Sequence, residues 1–166
     1  LRSTGTGRAV PLVVPVTVVW MVIGGLSAGV GGILTWQTRS IEELTVSGAW
    51  ALAGTICVTG WAFSALAAVA SQLGRQVGQA RSLSMIVLAL AFGMRVAADQ
   101  VAEGSSSNWL RWLSPLGWRD LIRPYSDDRF AVLAVCGVIA LVLAIVAAAL
   151  AAHREYLDSY LPDRST

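Results

Sequence analysis

Two long stretches without a charged residue restrict this chain to very few folds. No charge occurs between Arg8 and Arg39, and a second uncharged stretch follows Glu43. A helix rises 1.5 Å per residue, so about 20 apolar residues cross the hydrocarbon core of a bilayer. Both stretches exceed that length, and they predict membrane-spanning helices at residues 10–36 and 46–71.

Two further spans are predicted in the second half of the chain. Residues 130–152 are uninterrupted by charge and are followed by His153. Residues 82–98 form a span if Arg95 and Asp99 both lie at one membrane boundary. The predicted fold is therefore an all-α, polytopic transmembrane helix bundle of about four spans.

The composition excludes several classes of protein. Apolar residues make up 55% of the 166 residues and charged residues 13%, whereas a soluble domain carries roughly 25% charged residues. All basic residues are Arg and the net charge is +2, so nothing indicates nucleic-acid binding. Cys57 and Cys136 stand alone in uncharged stretches, so neither a disulfide nor a metal site is expected. Because the chain begins at Leu1 without Met, we expect it to be part of a longer protein.

Arginine placement predicts the orientation of the spans in the plasma membrane. Three arginine-bearing segments fall on one side: Arg2 with Arg8, Arg75 with Arg81, and Arg154 with Arg164. The loop after the first span balances its arginine with two glutamates, and the last loop mixes both signs. Both ends of the chain, including a tail at 153–166, are therefore predicted to be cytoplasmic, and the loop at 99–129 external.

Small and hydroxyl-bearing residues predict where the spans pack, because they allow close backbone approach in lipid. They form three rows at four-residue spacing: Gly24, Ala28 and Gly32, flanked by Gly25 and Gly31; Ser47, Ala51, Thr55 and Thr59; and Gly60, Ser64 and Ala68. Packing is our first interpretation. The alternative is that Thr55, Thr59 and Ser64 line a substrate path with Trp61, since polar groups facing a water-filled cavity avoid burial in lipid.

Arg95 and Asp99 lie four residues apart and therefore share one face of the third helix. We interpret them as an ion pair at the membrane boundary. The alternative is a polar element of an external gate.

The last external loop is unusually rich in tryptophan, at Trp109, Trp112 and Trp118. Asn108 is suited to cap a short helix, and Ser114 with Pro115 to cap and begin a second one. That second helix should end near Arg123, since the residue before Pro124 disfavours helical geometry. Apolar residues alternate with arginine and aspartate here, which predicts two short amphipathic helices in or dipping into the headgroup region. Gly117 belongs to this predicted interfacial segment.

Three blocks of sequence carry a resemblance to a known family. They are Trp112-Leu-Ser-Pro-Leu-Gly-Trp118 with Arg123-Pro-Tyr125 and Asp128-Arg129; Ala67-Ala-Val-Ala-Ser-Gln-Leu73 with Ala80-Arg-Ser-Leu83, Ala91-Phe92, Arg95 and Asp99; and Leu1-Arg-Ser-Thr with Gly7-Arg8. They resemble the permeases of type-2 ABC exporters, and within these the actinobacterial group that exports polyketide antibiotics.

The resemblance implies that the four spans are the last four of a six-span unit. It implies alternating-access export of a hydrophobic or amphipathic small molecule of antibiotic or drug type, as in multidrug resistance. A separate ATP-binding cassette ATPase would bind ATP and Mg, and a second permease half would be fused or paired. The ATPase would contact this chain at Arg2, Ser3, Arg8, Arg75 and Gln76. No cofactor is expected in this chain, which has no GxxxxGK[ST] phosphate loop.

Two other functions compete with export. A membrane-embedded enzyme needs titratable groups inside the spans, yet the only histidine, His153, lies at a boundary. A non-transporting membrane scaffold or assembly protein would show the same small-residue rows, so only the family resemblance argues against it.

Overall fold

The computed structural model describes residues 9–41, 44–73, 77–100 and 109–159. Its four long helices are α1 (Ala9–Gln37), α2 (Val46–Leu73), α3 (Val77–Asp99) and α6 (Phe130–Ser159). Between α3 and α6 lie α4 (Leu110–Leu113), a 3-10 turn (Pro115–Gly117) and α5 (Trp118–Ile122). No strand occurs in the described ranges. Each long helix contains a segment long and apolar enough to cross a membrane, which confirms the predicted four-span, all-α fold.

Helix α2 is the centre of the bundle. It packs against α1, α3, α5 and α6, and its contacts with α1 and with α6 are far more extensive than the direct contact between α1 and α6. Accordingly 33% of the α2 span is buried, against 6% of the α1 span. The buried positions of α2 are mostly alanine, so neighbouring backbones approach it closely. The outer faces of α1, α3 and α6 carry exposed aliphatic side chains, as expected of surfaces solvated by lipid.

The contact between α1 and α2 differs from the predicted row of small residues. Gly24 lies beside the Trp61 ring, but Ala28 and Gly32 are exposed. The contact instead continues through Ser27, which is 3% exposed, and Gly31, where an added Cβ would lie 3.1 Å from the Cβ of Ala53. The contacting row therefore runs through Gly24, Ser27 and Gly31, at spacings of three and four residues, in place of the uniform four-residue spacing.

Glycines on α2 mark its closest contacts with two neighbours. An added Cβ at Gly60 would lie 2.9 Å from a methyl carbon of Ile23 on α1. At Gly54 it would lie 2.6 Å from a methyl carbon of Leu133 on α6. At both sites the absence of a side chain lets the neighbouring helix lie close to the α2 backbone, as small residues do in lipid.

The segment from α4 to α5 enters the bundle instead of crossing over it. The Ser114 hydroxyl donates a hydrogen bond to the carbonyl oxygen of Ala91 (2.7 Å), and the Thr59 hydroxyl donates to that of Pro115 (3.3 Å). Ala91 lies about 12 Å from the end of α3, and Thr59 about 20 Å from the beginning of α2, at 1.5 Å per residue. Half of the hydrocarbon core is about 15 Å thick. Measured along these helices, the segment Leu110–Ile122 therefore reaches well into the bundle, and we call it the re-entrant element. Its backbone is enclosed by protein at its buried residues, which are Ser114, Pro115, Gly117, Trp118 and Ile122.

The short helices predicted in this loop are confirmed, but their tryptophans do not share one environment. Trp109 and Trp112 are 57% and 38% exposed, as expected near headgroups. Trp118 is 1% exposed and belongs to the core, together with Ile122 and Cys136. Its indole Nε1 donates to the carbonyl oxygen of Trp112 (3.1 Å), so burial leaves no polar atom of the ring unpaired.

Capping in the re-entrant element also differs from the prediction. Ser114 occupies the position before the 3-10 turn, and Pro115 begins the turn, but the serine hydroxyl makes no capping hydrogen bond. It holds the element to α3 instead, through its bond to Ala91. Asn108, the cap predicted for the first short helix, lies outside the described residues. Helix α5 ends at Ile122, and its C-cap residue Arg123 adopts a left-handed conformation (φ 51°).

Candidate functional site

An apolar groove of about 580 Å³ lies between α1 and α6. Its walls are mostly aliphatic residues, from Leu12 to Gly25 of α1 and from Leu141 to Ala148 of α6. Gly24 and Gly25 open the α1 wall, and Ile145 contributes to the α6 wall. Trp20 and Trp61 also line it. The groove therefore offers an apolar and aromatic surface to a molecule dissolved in the membrane.

Trp20 and Trp61 form a stacked pair, with ring centroids 4.8 Å apart and planes inclined by 8°. Trp20 Nε1 donates to Ser64 Oγ (2.7 Å), and Trp61 Nε1 donates to the carbonyl oxygen of Trp20 (3.0 Å). Ser64 in turn donates to the carbonyl oxygen of Trp61 (2.8 Å). Both indole donors of this pair are thus satisfied within the bundle, which leaves the two rings to offer apolar surface to the groove.

The structure separates the residues of the predicted substrate path. Only Trp61 among them lines the apolar groove. Thr55 is buried and donates to the carbonyl oxygen of Ala51 (2.7 Å), while Thr59 holds the re-entrant element through Pro115. Ser64 supports the tryptophan pair. Thr59 and Ser64 thus make hydrogen bonds between elements, whereas the Thr55 bond lies within α2. A role of the three hydroxyls in a substrate path stays a prediction.

A second cavity, of about 800 Å³, lies at the opposite end of the bundle and is polar; we call it the arginine vestibule. It lies between the end of α3, the re-entrant element and the turn that precedes α6. Its charged lining residues are Arg95, Asp99, Arg111, Arg119, Asp120, Arg123 and Arg129. A water-accessible cavity of this kind lets charged groups remain hydrated beside an apolar bundle.

Arg95 is the centre of an ion-pair network in the vestibule. One guanidinium nitrogen lies 3.2 Å from Asp99, as the four-residue spacing predicts, and another pairs with Asp120 of α5. The side chains of Arg95 and Asp120 are 25% and 31% exposed. Arg95 therefore joins α3 to the re-entrant element. Sequence reasoning missed Asp120 as its partner, because no periodicity links residues on separate elements.

The turn between α5 and α6 contains three residues other than glycine with positive φ: Arg123 (51°), Tyr125 (65°) and Asp128 (45°). Such conformations are costly outside glycine, and neighbouring contacts must maintain them. Asp128 accepts a hydrogen bond from the Tyr125 backbone N–H (2.8 Å), and the Tyr125 ring covers Gly48 on α2. The turn thus fixes the re-entrant element between α2 and α6. In the sequence, only the family resemblance at Arg123-Pro-Tyr125 and Asp128-Arg129 indicated that this turn matters.

The residues predicted to contact an ATPase are not placed by the structure. Arg2, Ser3, Arg8, Arg75 and Gln76 all lie outside the described residues. This contact therefore stays a prediction.

No protein-family model matches the chain, and no solved structure matches it. A multidrug efflux system permease protein of Mycobacterium tuberculosis is 34% identical to it over 122 residues. The aligned region covers 74% of this chain and 21% of that protein, so the chain spans about a fifth of the relative's length. Over most of its length, the chain is therefore similar to a part of a multidrug efflux permease.

Proposed function

We propose that this chain is a membrane-spanning part of the permease of an ATP-driven, ABC-type exporter. The observation that carries the proposal is the 34% identity to a multidrug efflux system permease, which extends over 74% of the chain. Four helices of membrane-spanning length support it. The loop containing Trp112 to Trp118, which resembles that of the polyketide-antibiotic exporters, supports the finer assignment to their group.

The transported molecule is proposed to be hydrophobic or amphipathic, and the apolar groove to be the surface that it contacts first. The groove lies between the first half of α1 and the second half of α6. Under the predicted orientation with cytoplasmic ends, this is the inner half of the membrane. A molecule dissolved in the inner leaflet would reach the Trp20–Trp61 pair laterally, without crossing the helix ends.

Transport would proceed by alternating access, with energy supplied outside this chain. A separate ATPase subunit would bind ATP and Mg and contact the cytoplasmic segments around Arg8 and Arg75. Its closure would tilt this bundle against a second permease half, fused or paired. Because α2 contacts α1, α3, α5 and α6, a tilt of α2 would be transmitted to both the groove and the arginine vestibule.

The groove is tested by filling it at Gly25. An added Cβ at Gly25 meets no atom within 4 Å, and the residue lines the groove. Gly25→Phe should therefore block the groove without a clash in α1. Gly29→Phe is the matched control, because Gly29 lies on the same helix, is equally free of neighbours and is not part of the groove lining.

The full-length protein and its ATPase partner are expressed in an efflux-deficient bacterial host, and the accumulation of an apolar fluorescent dye is measured. We expect Gly25→Phe to raise dye accumulation severalfold over wild type, and Gly29→Phe to leave it unchanged. A catalytically inactive ATPase should raise accumulation with every variant. Equal efflux by all three permeases would contradict the role of the groove. Failure to co-purify with an ATPase, together with dye accumulation equal to that of cells lacking the permease, would contradict the exporter and favour the non-transporting scaffold.

A further inference from the structure

The arginine vestibule carries more positive charge than its own acids neutralise. Five arginines line it, against Asp99 and Asp120. Arg95 pairs with both of these aspartates, so their charges are already engaged. The positive excess therefore belongs to the arginines of the re-entrant element and of the turn that follows it.

The ion pairs around the vestibule divide these arginines into two groups. Arg123 and Arg129 both pair with Asp127, at 3.3 Å and 3.0 Å. Arg111 and Arg119 have no carboxylate partner in the described part of the chain. These two guanidinium groups keep their hydrogen-bonding capacity for a ligand of opposite charge.

Apolar surface adjoins Arg111 and Arg119 on the same element. Trp109, Trp112 and Leu113 are 57%, 38% and 55% exposed, and Arg111 lies among them in the sequence. Indole rings favour the depth of lipid headgroups, and exposed leucine at this depth contacts acyl chains. A ligand that fits both surfaces has an anionic head and a hydrocarbon body.

We propose that the arginine vestibule binds the phosphate headgroup of an anionic phospholipid, with Arg111 and Arg119 as its principal contacts. The planar guanidinium group donates two parallel hydrogen bonds to phosphate oxygens. Basic pockets between transmembrane helices are suited to lipid headgroups for this reason. The acyl chains would lie along Trp112 and Leu113. This site is independent of the export proposed above, because it requires neither the groove nor an ATPase.

The test measures lipid retention by the purified full-length protein. The protein is delipidated in detergent and then incubated with phosphatidylglycerol or phosphatidylcholine of equal chain length, and bound lipid is counted by native mass spectrometry. We expect the wild-type protein to retain more phosphatidylglycerol than phosphatidylcholine. In the double variant Arg111→Gln, Arg119→Gln, the affinity for phosphatidylglycerol should fall at least about tenfold, as loss of charge-assisted hydrogen bonds to two groups predicts.

Two further double variants separate specific binding from general attraction and from misfolding. Arg39→Gln with Arg81→Gln removes the same net charge from exposed positions outside the vestibule, and it should bind lipid like wild type. Arg111→Lys with Arg119→Lys keeps the charge and removes the guanidinium fork, so it should lose part of the affinity.

Three outcomes would overturn the proposal. One is equal retention of the two lipids, and another is an equal loss of affinity in the vestibule variant and the charge-matched control. The third is binding of inorganic phosphate alone. In that case phosphate would raise the unfolding temperature of wild type but not of the double Gln variant, and wild type would not retain phosphatidylglycerol. Export by the Gly25→Phe variant does not bear on any of these results.

Discussion

Gly117 is the position where one added methyl group should most disturb the re-entrant element. An added Cβ would lie 2.6 Å from the carbonyl oxygen of Arg111 and 3.1 Å from its Cα. The backbone angles of Gly117 (φ −78°, ψ −14°) are ordinary helical values that any residue adopts. The need for glycine is therefore one of space, since the chain folds back on α4 at this point.

The size of the disturbance follows from the atoms involved. A Cβ placed 2.6 Å from a carbonyl oxygen must move away by roughly 0.6 Å to reach a tolerable contact, and the opposing atoms are backbone, so no side chain can rotate aside. Overpacking of this kind costs typically about 1–3 kcal/mol. The shift would also stretch the hydrogen bond from Trp118 Nε1 to the carbonyl oxygen of Trp112, which is worth about 1 kcal/mol. We expect Gly117→Ala to lower the free energy of unfolding by about 2–4 kcal/mol.

Denaturant unfolding of the purified protein in detergent micelles, followed by circular dichroism, measures this difference. Gly93→Ala is the matched control: Gly93 lies on α3, is exposed, and an added Cβ there has no atom within 4 Å. Alanine is the better helix former by about 1 kcal/mol, so the control should be unchanged or slightly stabilised. If Gly117→Ala unfolds at the same denaturant concentration as Gly93→Ala, the close approach of Gly117 to α4 is wrong.

Three other predictions address the packing and topology of the bundle. Ser114→Ala should lower the free energy of unfolding by about 1 kcal/mol, because it removes a buried hydrogen bond to α3; an unchanged unfolding midpoint would contradict that bond. Arg95→Gln should lower the free energy of unfolding by about 1 kcal/mol or less, since its ion pairs are partly exposed. If the two side chains pair, Asp120→Asn should lower it little further in the Arg95→Gln background, and full additivity of the two effects would argue against the pair. In a cysteine-free background, Gly78→Cys should react with a membrane-impermeant maleimide only from the cytoplasmic side and Ser126→Cys only from outside, and labelling of both from one side would refute the four-span topology.

The number and approximate position of the long helices could be predicted from the sequence. Stretches without charge, such as the one between Arg8 and Arg39, have no other stable environment than lipid or a dry core. The break at Ser114 and Pro115 could be predicted as well, because proline disfavours a continuous helix locally. These features depend on each residue's own chemistry and on its immediate neighbours in the chain.

What the tertiary structure decided is which faces of those helices meet, and how deep the re-entrant element lies. In a span that is apolar on every side, an aliphatic residue is equally suited to lipid and to protein, so hydrophobicity does not distinguish the Ser27–Gly31 face from the neighbouring Ala28–Gly32 face. The burial of Trp118 and the pairing of Arg95 with Asp120 likewise require elements that are distant in sequence. Only the packed bundle brings those elements together, because the contacts depend on shape and on hydrogen-bond partners that no local pattern contains.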